Sequence, residues 1–404
     1  MLFHNFTSKI FIYFERVIKL SEIIHHPGKL KINSTDKSST AKQRFDFIDQ
    51  FRGFVGILML LGHSSYYFNS IWLYLDPADP LIPNWEQFIL RYIGYLCAPG
   101  FLMMNGAMVW WAYQKRILKG TPDWSARWHL IQRGLFLVIV QMTWVNSSWG
   151  GFSEFKPAHL GIISTIGFSM ILLTLIVNTK WLLRLGIALA ILFIYPFLLT
   201  IQYNPDVYWQ QVLMQTFIDS GDFNKYPILP WFALAILGSV MATGWLKGWK
   251  TDKQKIIYSL AIGVTSILIA TLIRMERGFG NIFPFSDFGS YSFFLDQKYP
   301  PSLYHNLWFF GWVVLGVGTI IFINKIFPKL LNILSVVGKV PLFFYCIHIA
   351  ILGIVSKRIG LFYREGEVVE TLIGFTIMLI VMLPLAKWFG SVKQRSKNYI
   401  IKMI

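Results

Sequence analysis

Asp49, Arg52 and His63 are three ionisable residues within or beside one long apolar stretch of this 404-residue chain. An ionisable side chain is costly to bury in a membrane helix, so each is a functional candidate. Asp49 and Arg52 are three residues apart and can pair on one helical face. His63 follows Arg52 by eleven residues, about 16 Å of helical rise, which points both side chains roughly the same way. A neutral imidazole at that depth can take a proton from a hydroxyl or amine, and an arginine can hold phosphate groups.

Basic and aromatic residues in two later apolar stretches form a second group of candidates. Helical spacing predicts that Tyr345 and His348 share a face. Lys339 lies within the same stretch and Arg133 begins another. Ordinary alternatives stay open, because a basic side chain can anchor a helix at the membrane surface and a buried histidine can simply bond to a neighbouring helix.

Several common catalytic motifs are absent. The sequence contains no HExxH, P-loop, CxxC or GxSxG pattern, so it predicts no metal site, nucleotide hydrolysis or serine hydrolase. Cys97 and Cys346 lie in separate apolar stretches and are interpreted as small core residues rather than a disulfide.

The elements that must position these residues are apolar segments. Hydrophobic residues make up 55% of the chain and charged residues only 14%, whereas soluble proteins carry about 25%. A segment of roughly 20 residues spans the hydrocarbon core, and it must be helical because lipid offers no partner for free backbone groups. The sequence therefore predicts an all-α, polytopic transmembrane bundle of about ten spans: residues 51–72, 88–113, 128–149, 160–178, 181–202, 228–246, 256–273, 303–323, 330–355 and 371–388. Gly338 and Pro341 predict a kink in the ninth.

The distribution of positive charge predicts orientation. The formal net charge of +17 is spread over short segments between the spans, so a nucleic-acid partner is excluded. Most Lys and Arg residues fall on the side of the amino terminus, which predicts that both termini are cytoplasmic. The loop at 73–87 has no basic residue but carries Asp76, Asp79 and Glu86, as an outer loop should.

Three regions follow from this topology. Residues 1–44 are predicted to be a cytoplasmic amphipathic helix and polar lead-in. Residues 45–390 form one transmembrane domain, and 391–404 a basic cytoplasmic tail. Two long outer loops, 203–227 and 274–302, carry residues that could form a sugar platform, although anchoring at the membrane surface is the favoured interpretation: Tyr203, Trp209, Asp219, Asp222, Phe285 and Asp287.

The stretch from Phe47 to Gly53, followed by Leu58, Met59 and His63, resembles the first helix of membrane acyltransferases. It is most similar to the heparan-α-glucosaminide N-acetyltransferase family and its bacterial relatives. The Arg52–His63 spacing also resembles the wider superfamily that includes bacterial O-antigen acetylases. Within residues 44–356, further similar stretches occur in matching order: 91–106, 133–135, 166–170, 228–231, 298–302 and 338–348.

This resemblance implies transfer of an acyl group from cytoplasmic acyl-CoA to an acceptor across the membrane. It also implies that Arg52 faces the CoA, that His63 is the catalytic histidine, and that the chain lies in a bacterial cytoplasmic membrane. The lysosomal enzyme has an active-site histidine shortly after its first helix, on the far side. This chain has no histidine between His63 and His129, so either His63 does that work or the lysosomal chemistry has been lost.

The resulting hypothesis is an acetyl-CoA-dependent acyltransferase acting on a sugar hydroxyl or amine, with His63 as general base and an acetyl-histidine intermediate as an open variant. No metal is expected, and a homodimer is an open alternative. The supporting residues are Arg52, Arg133 and Lys339 for CoA, Asp49 to orient Arg52, and Tyr345 and His348 to line the tunnel or steady His63. Two other functions stay open: a secondary transporter and a non-catalytic membrane partner that keeps the fold.

Overall fold

The computed structural model describes residues 45–72, 82, 84–155 and 158–404. The described residues form helices and no strand, which confirms the predicted all-α class. The amphipathic helix and polar lead-in predicted for residues 1–44 lie outside the described residues.

The described α-helices are, in chain order, α1 (Asp46–Phe68), α2 (Trp85–Tyr95), α3 (Cys97–Leu118), α4 (Asp123–Val140), α5 (Asn146–Trp149), α6 (Ile162–Ile176), α7 (Trp181–Leu198), α8 (Tyr208–Phe217), α9 (Ile228–Ala242), α10 (Asp252–Glu276), α11 (Tyr291–Phe294), α12 (Leu303–Ile326), α13 (Asn332–Gly338), α14 (Pro341–Leu352), α15 (Val368–Arg395) and α16 (Tyr399–Met403). Three π-helical turns continue α4, α9 and α14: Gln141–Val145, Thr243–Gly248 and Gly353–Arg358. Such turns often occur at functional sites.

Each of the ten predicted spans contains helix. The second is divided at Leu96, between α2 and α3, and the ninth is divided between α13 and α14, where the kink was predicted. Pro341 begins α14, a position where its missing N–H costs nothing. Within the described residues, seven helices are long and apolar enough to cross a membrane. The chain is thus a multi-pass membrane protein; the count of ten and the cytoplasmic termini stay predictions.

Glycines allow α1 to pack directly against α13. A methyl group added at Gly338 would lie 1.6 Å from the carbonyl oxygen of Asp49, and one added at Gly53 would lie 1.8 Å from that of Leu334. Small residues at such crossings let two membrane helices approach to backbone contact. This contact fixes the end of α1 that carries Arg52.

A buried ion pair holds the loop between α10 and α12. The side chains of Arg274 and Asp296 are both fully buried, with 3.5 Å between nitrogen and oxygen. Arg274 also donates hydrogen bonds to the carbonyls of Phe283, Ser292 and Phe293. A charge that is paired and bonded in this way can be buried, and it fixes the loop that continues into Lys298 and Tyr299.

Candidate functional site

A cavity of about 820 Å³ extends along α1. Arg52 and Arg133 line it near the amino-terminal end of α1, while Trp72, Trp149 and Lys357 line it near the other end. Since α1 has 23 residues, it is about 34 Å long. The cavity therefore connects regions near the two ends of a helix of membrane-spanning length.

His63 lies on the cavity wall and is hydrogen-bonded to His348 on α14. Its Nδ1 is 2.7 Å from Nε2 of His348, and Nδ1 of His348 is 2.5 Å from the carbonyl oxygen of Phe344. A carbonyl only accepts, so Nδ1 of His348 carries the hydrogen and Nε2 of a neutral His348 accepts. Nδ1 of His63 is then the donor, and Nε2 of His63 keeps its lone pair. This tautomer is assigned from the hydrogen-bond network.

Aromatic side chains hold the His63 imidazole from three sides. Its ring centroid is 5.1 Å from Trp149, edge-on, 5.6 Å from Tyr345, also edge-on, and 5.1 Å from His348, stacked. Tyr345 lines the cavity as well, whereas His348 is fully buried behind the wall. Locked side chains of this kind keep a reactive group in one geometry. The structure thus brings together His63, Tyr345 and His348.

Two arginines lie at the end of the cavity that is near the amino terminus of α1. Arg52 is 3.6 Å from Asp49 and remains 21% exposed, so the predicted i, i+3 pair is present. Arg133 lines the same cavity, and its guanidinium is near enough to Arg52 for mutual repulsion. Two like charges beside an apolar cavity favour an anion with more than one negative charge. Asp49 is not part of the wall, and neither is Lys339, which caps the end of α13.

The middle of the cavity is apolar and adaptable. Met59, Met104, Met108 and Met170 line it, and Met403 lines the cavity nearer the arginine end. Methionine is unbranched and polarisable, so it adjusts to irregular or flexible ligands. The cavity therefore joins its charged ends through an apolar passage.

The opposite end of the cavity is rich in basic side chains. Arg91, Lys225, Lys298 and Lys357 line it, and Glu154 is the carboxylate among the described lining residues. Lys357 Nζ donates to the Tyr66 hydroxyl at 3.4 Å. Lys298 Nζ lies 4.9 Å above the Tyr95 ring and 5.2 Å above the Tyr299 ring. The sequence analysis missed Lys357, because a lysine at the end of a span is ordinarily a surface anchor.

Two tyrosines extend this basic end. The hydroxyls of Tyr226 and Tyr299 are 2.8 Å apart, and both residues line the cavity. Burial, with the neighbouring Tyr299 phenol as a smaller cause, holds the pKa of Tyr226 well above its usual range. Tyr226 therefore stays protonated at neutral pH and can donate a hydrogen bond.

Other sequence candidates lie away from the cavity. The six residues of the alternative sugar platform do not line it, and Trp209 on α8 is 65% exposed, as a membrane-surface anchor would be. Among the described residues, no group of three or more His, Cys, Asp or Glu side chains is arranged to hold a metal ion.

Comparison with known families gives one match. Residues 44–273 match the family described as heparan-alpha-glucosaminide N-acetyltransferase, catalytic. The match covers more than half of the chain and includes Arg52, His63 and Arg133, while Lys298, Tyr345 and His348 lie beyond it. A search of curated proteins finds no match.

Proposed function

Because the chain belongs to the heparan-α-glucosaminide N-acetyltransferase family of membrane acetyltransferases, we propose that it transfers an acetyl group from cytoplasmic acetyl-CoA to a sugar hydroxyl or amine on the outer side of the membrane. The observation that carries the proposal is the cavity with Arg52 at one end, Lys357 at the other and His63 on the wall between them. On the sequence resemblance, the membrane is the bacterial cytoplasmic membrane. A homodimer stays a prediction.

The arginine end of the cavity suits the donor. CoA carries a diphosphate and a further phosphate on its ribose, and guanidinium groups bind phosphates through paired hydrogen bonds. Arg52, oriented by Asp49, and Arg133 would hold these groups, with Lys339 reaching them from outside the wall. The apolar passage lined by methionines would take the flexible pantetheine arm and bring the thioester toward His63.

His63 is suited to general base catalysis. Nε2 of His63 would accept the proton of the acceptor hydroxyl or amine while the acceptor oxygen or nitrogen attacks the thioester carbonyl carbon. The carbon–sulfur bond then breaks, and the CoA thiolate takes this proton from Nε2. In the variant with a covalent intermediate, Nε2 itself attacks that carbon and the CoA thiolate leaves. The acceptor then attacks the acetyl carbon, the bond to Nε2 breaks, and the acceptor's proton passes to the thiolate. His348 would keep Nδ1 of His63 protonated in either course.

The lysine end of the cavity suits an acceptor that carries negative charge. Four basic residues and one carboxylate line this end, so an acidic sugar would be attracted more strongly than a neutral one. The flat rings of Trp149 and Tyr66 also line the cavity close to His63 and would pack against the apolar face of a sugar ring.

Arg52→Ala is expected to weaken acetyl-CoA binding by about 10- to 100-fold, the usual loss for a hydrogen bond to a charged group. The measurement is titration calorimetry of the purified protein in detergent. Lys253→Ala is the matched control, because Lys253 is an exposed cation on α10 that does not line the cavity. If a well-folded wild type bound no acyl-CoA, and a labelled solute were taken up along a gradient, the transporter alternative would replace this proposal.

Lys357→Met is expected to raise KM about tenfold for an acidic acceptor, such as a glucosamine–glucuronate disaccharide, and to leave KM for methyl glucosaminide nearly unchanged. The loss follows from removing one charge-assisted contact. Steady-state kinetics at saturating acetyl-CoA measure it. Arg358→Met is the control, since Arg358 is the exposed neighbouring cation and does not line the cavity. Equal changes for both acceptors would contradict an acidic acceptor.

A further inference from the structure

The short helix α16 forms part of the cavity wall. Met403 and Ile404 line the same cavity as Arg52 and Arg133, and Met403 is only 8% exposed. The sequence analysis predicted a basic tail over 391–404. Within that segment α15 continues to Arg395, and Met403 and Ile404 at the end of α16 line the cavity.

Among the described residues, the hydroxyl of Tyr399 connects α16 to α4. The hydroxyl of Tyr399 donates to Oε1 of Gln132 at 2.9 Å and lies 3.2 Å from Nδ1 of His129, both on α4. Asn398 caps α16 by accepting from the backbone N–H groups of Ile400 and Ile401. A helix this short is not stable by itself, so its position depends on these contacts with α4 and on the burial of Met403.

Basic side chains lie in and beside α16. Lys397 and Lys402 lie in this segment, while Arg116 and Arg133 of the bundle are close enough to interact electrostatically with Tyr399. Arg116 and Arg133 repel each other beside Tyr399, and a bound anion would relieve that repulsion. A ligand shifts an equilibrium only by binding one state better than the other, and an anionic donor would favour the closed state in this way.

From these contacts we propose that residues 396–404 form a lid over the donor entrance, which opens to admit the donor and closes over it. This inference rests on the proposed function for the identity of the donor, but not for the existence of the lid. Closure would exclude water, which otherwise competes for the thioester. Met403 and Ile404 would then form the cytoplasmic wall of the passage.

The lid is tested by the accessibility of a thiol inside the cavity. Ala112 lines the cavity, so Ala112→Cys, in a background with Cys97→Ala and Cys346→Ala, reports entry of a charged maleimide. Tyr399→Phe and Met403→Ala are expected to speed labelling of the full chain about 2- to 10-fold, the range for the loss of one hydrogen bond or contact. Ile400→Ala is the matched control, because Ile400 lies on α16 but is 57% exposed.

The same experiment separates the lid from the proposed donor. Labelling that is faster in both variants and slowed by acetyl-CoA supports both ideas. Faster labelling without protection by acetyl-CoA supports the lid but not the donor. Unchanged labelling in both variants overturns the lid, as does a lowered melting temperature with no change in labelling, since Tyr399 would then only stabilise the fold.

Discussion

His63→Ala should reduce acetyl transfer by about 10²- to 10⁴-fold, the contribution of a positioned general base, while acetyl-CoA binding stays within about twofold of wild type. The reason is that His63 lines the cavity and its Nε2 keeps the lone pair, whereas the donor phosphates would be held near the amino-terminal end of α1 by Arg52 and Arg133. Quantifying the acetylated acceptor by mass spectrometry, at saturating concentrations of both substrates, gives the change in kcat.

The controls for this variant separate three explanations. Cys346 lies on the same helix as His348 without lining the cavity. The Cys346→Ala variant should therefore transfer acetyl groups at the wild-type rate. His348→Phe should lower kcat less than His63→Ala does, with unchanged donor binding, because it removes only the partner that fixes the tautomer. Acetyl bound to His63 after acid quenching, with no acceptor present, would support the covalent course. Wild-type transfer by His63→Ala would refute both courses.

Gly338→Ala should prevent normal folding, or destabilise the protein by about 3 kcal/mol or more, at the upper end of the range for overpacked sites. The added methyl group would lie 1.6 Å from the carbonyl oxygen of Asp49, and no rotamer change can relieve a clash with backbone. The helices α1 and α13 would have to separate. Thermal unfolding followed by tryptophan fluorescence, together with gel filtration in detergent, measures the effect.

Gly186→Ala is the matched control for that substitution. Gly186 lies on α7 with open space around the position of an added methyl group, and alanine is the better helix former. Its melting temperature should equal or exceed that of wild type. Gly53→Ala acts on the same contact, so its effect should not add to that of Gly338→Ala. A normal melting temperature for Gly338→Ala would mean that α1 and α13 are not in backbone contact.

Local spacing made part of this site predictable. The Asp49–Arg52 pair and the common face of Tyr345 and His348 follow from the helical repeat, and Pro341 marks the kink. The bond between His63 and His348 joins residues 285 apart, so only tertiary packing creates it. The sequence analysis also missed the lysine-rich end of the cavity, because Lys298 and Lys357 come from separate elements that only tertiary packing brings together.

Hydropathy alone does not identify as a span the helix that carries the first candidate residues. Helix α1 is not among the seven described helices that are apolar enough to cross a membrane, although it has 23 residues. Its Asp49, Arg52 and His63 lower its mean hydropathy. The polar residues that mark the candidate site therefore make their helix hard to recognise as a span from hydropathy. Its length and its packing in the bundle are what suggest that it belongs with the other long helices.

The bond from His348 to the carbonyl of Phe344 has a consequence for charge movement. A backbone carbonyl accepts a hydrogen bond but is too weak a base to take up a proton, so a proton taken up by His63 has no exit through His348. Under the proposed transfer it leaves with the CoA thiol on the cytoplasmic side, while the acetyl group leaves with the acceptor on the outer side. One proton moves inward for each acetyl group that moves outward, and the acetyl group counts as an acylium cation in this balance. The overall reaction would then be electroneutral, and the membrane potential would neither drive nor oppose it.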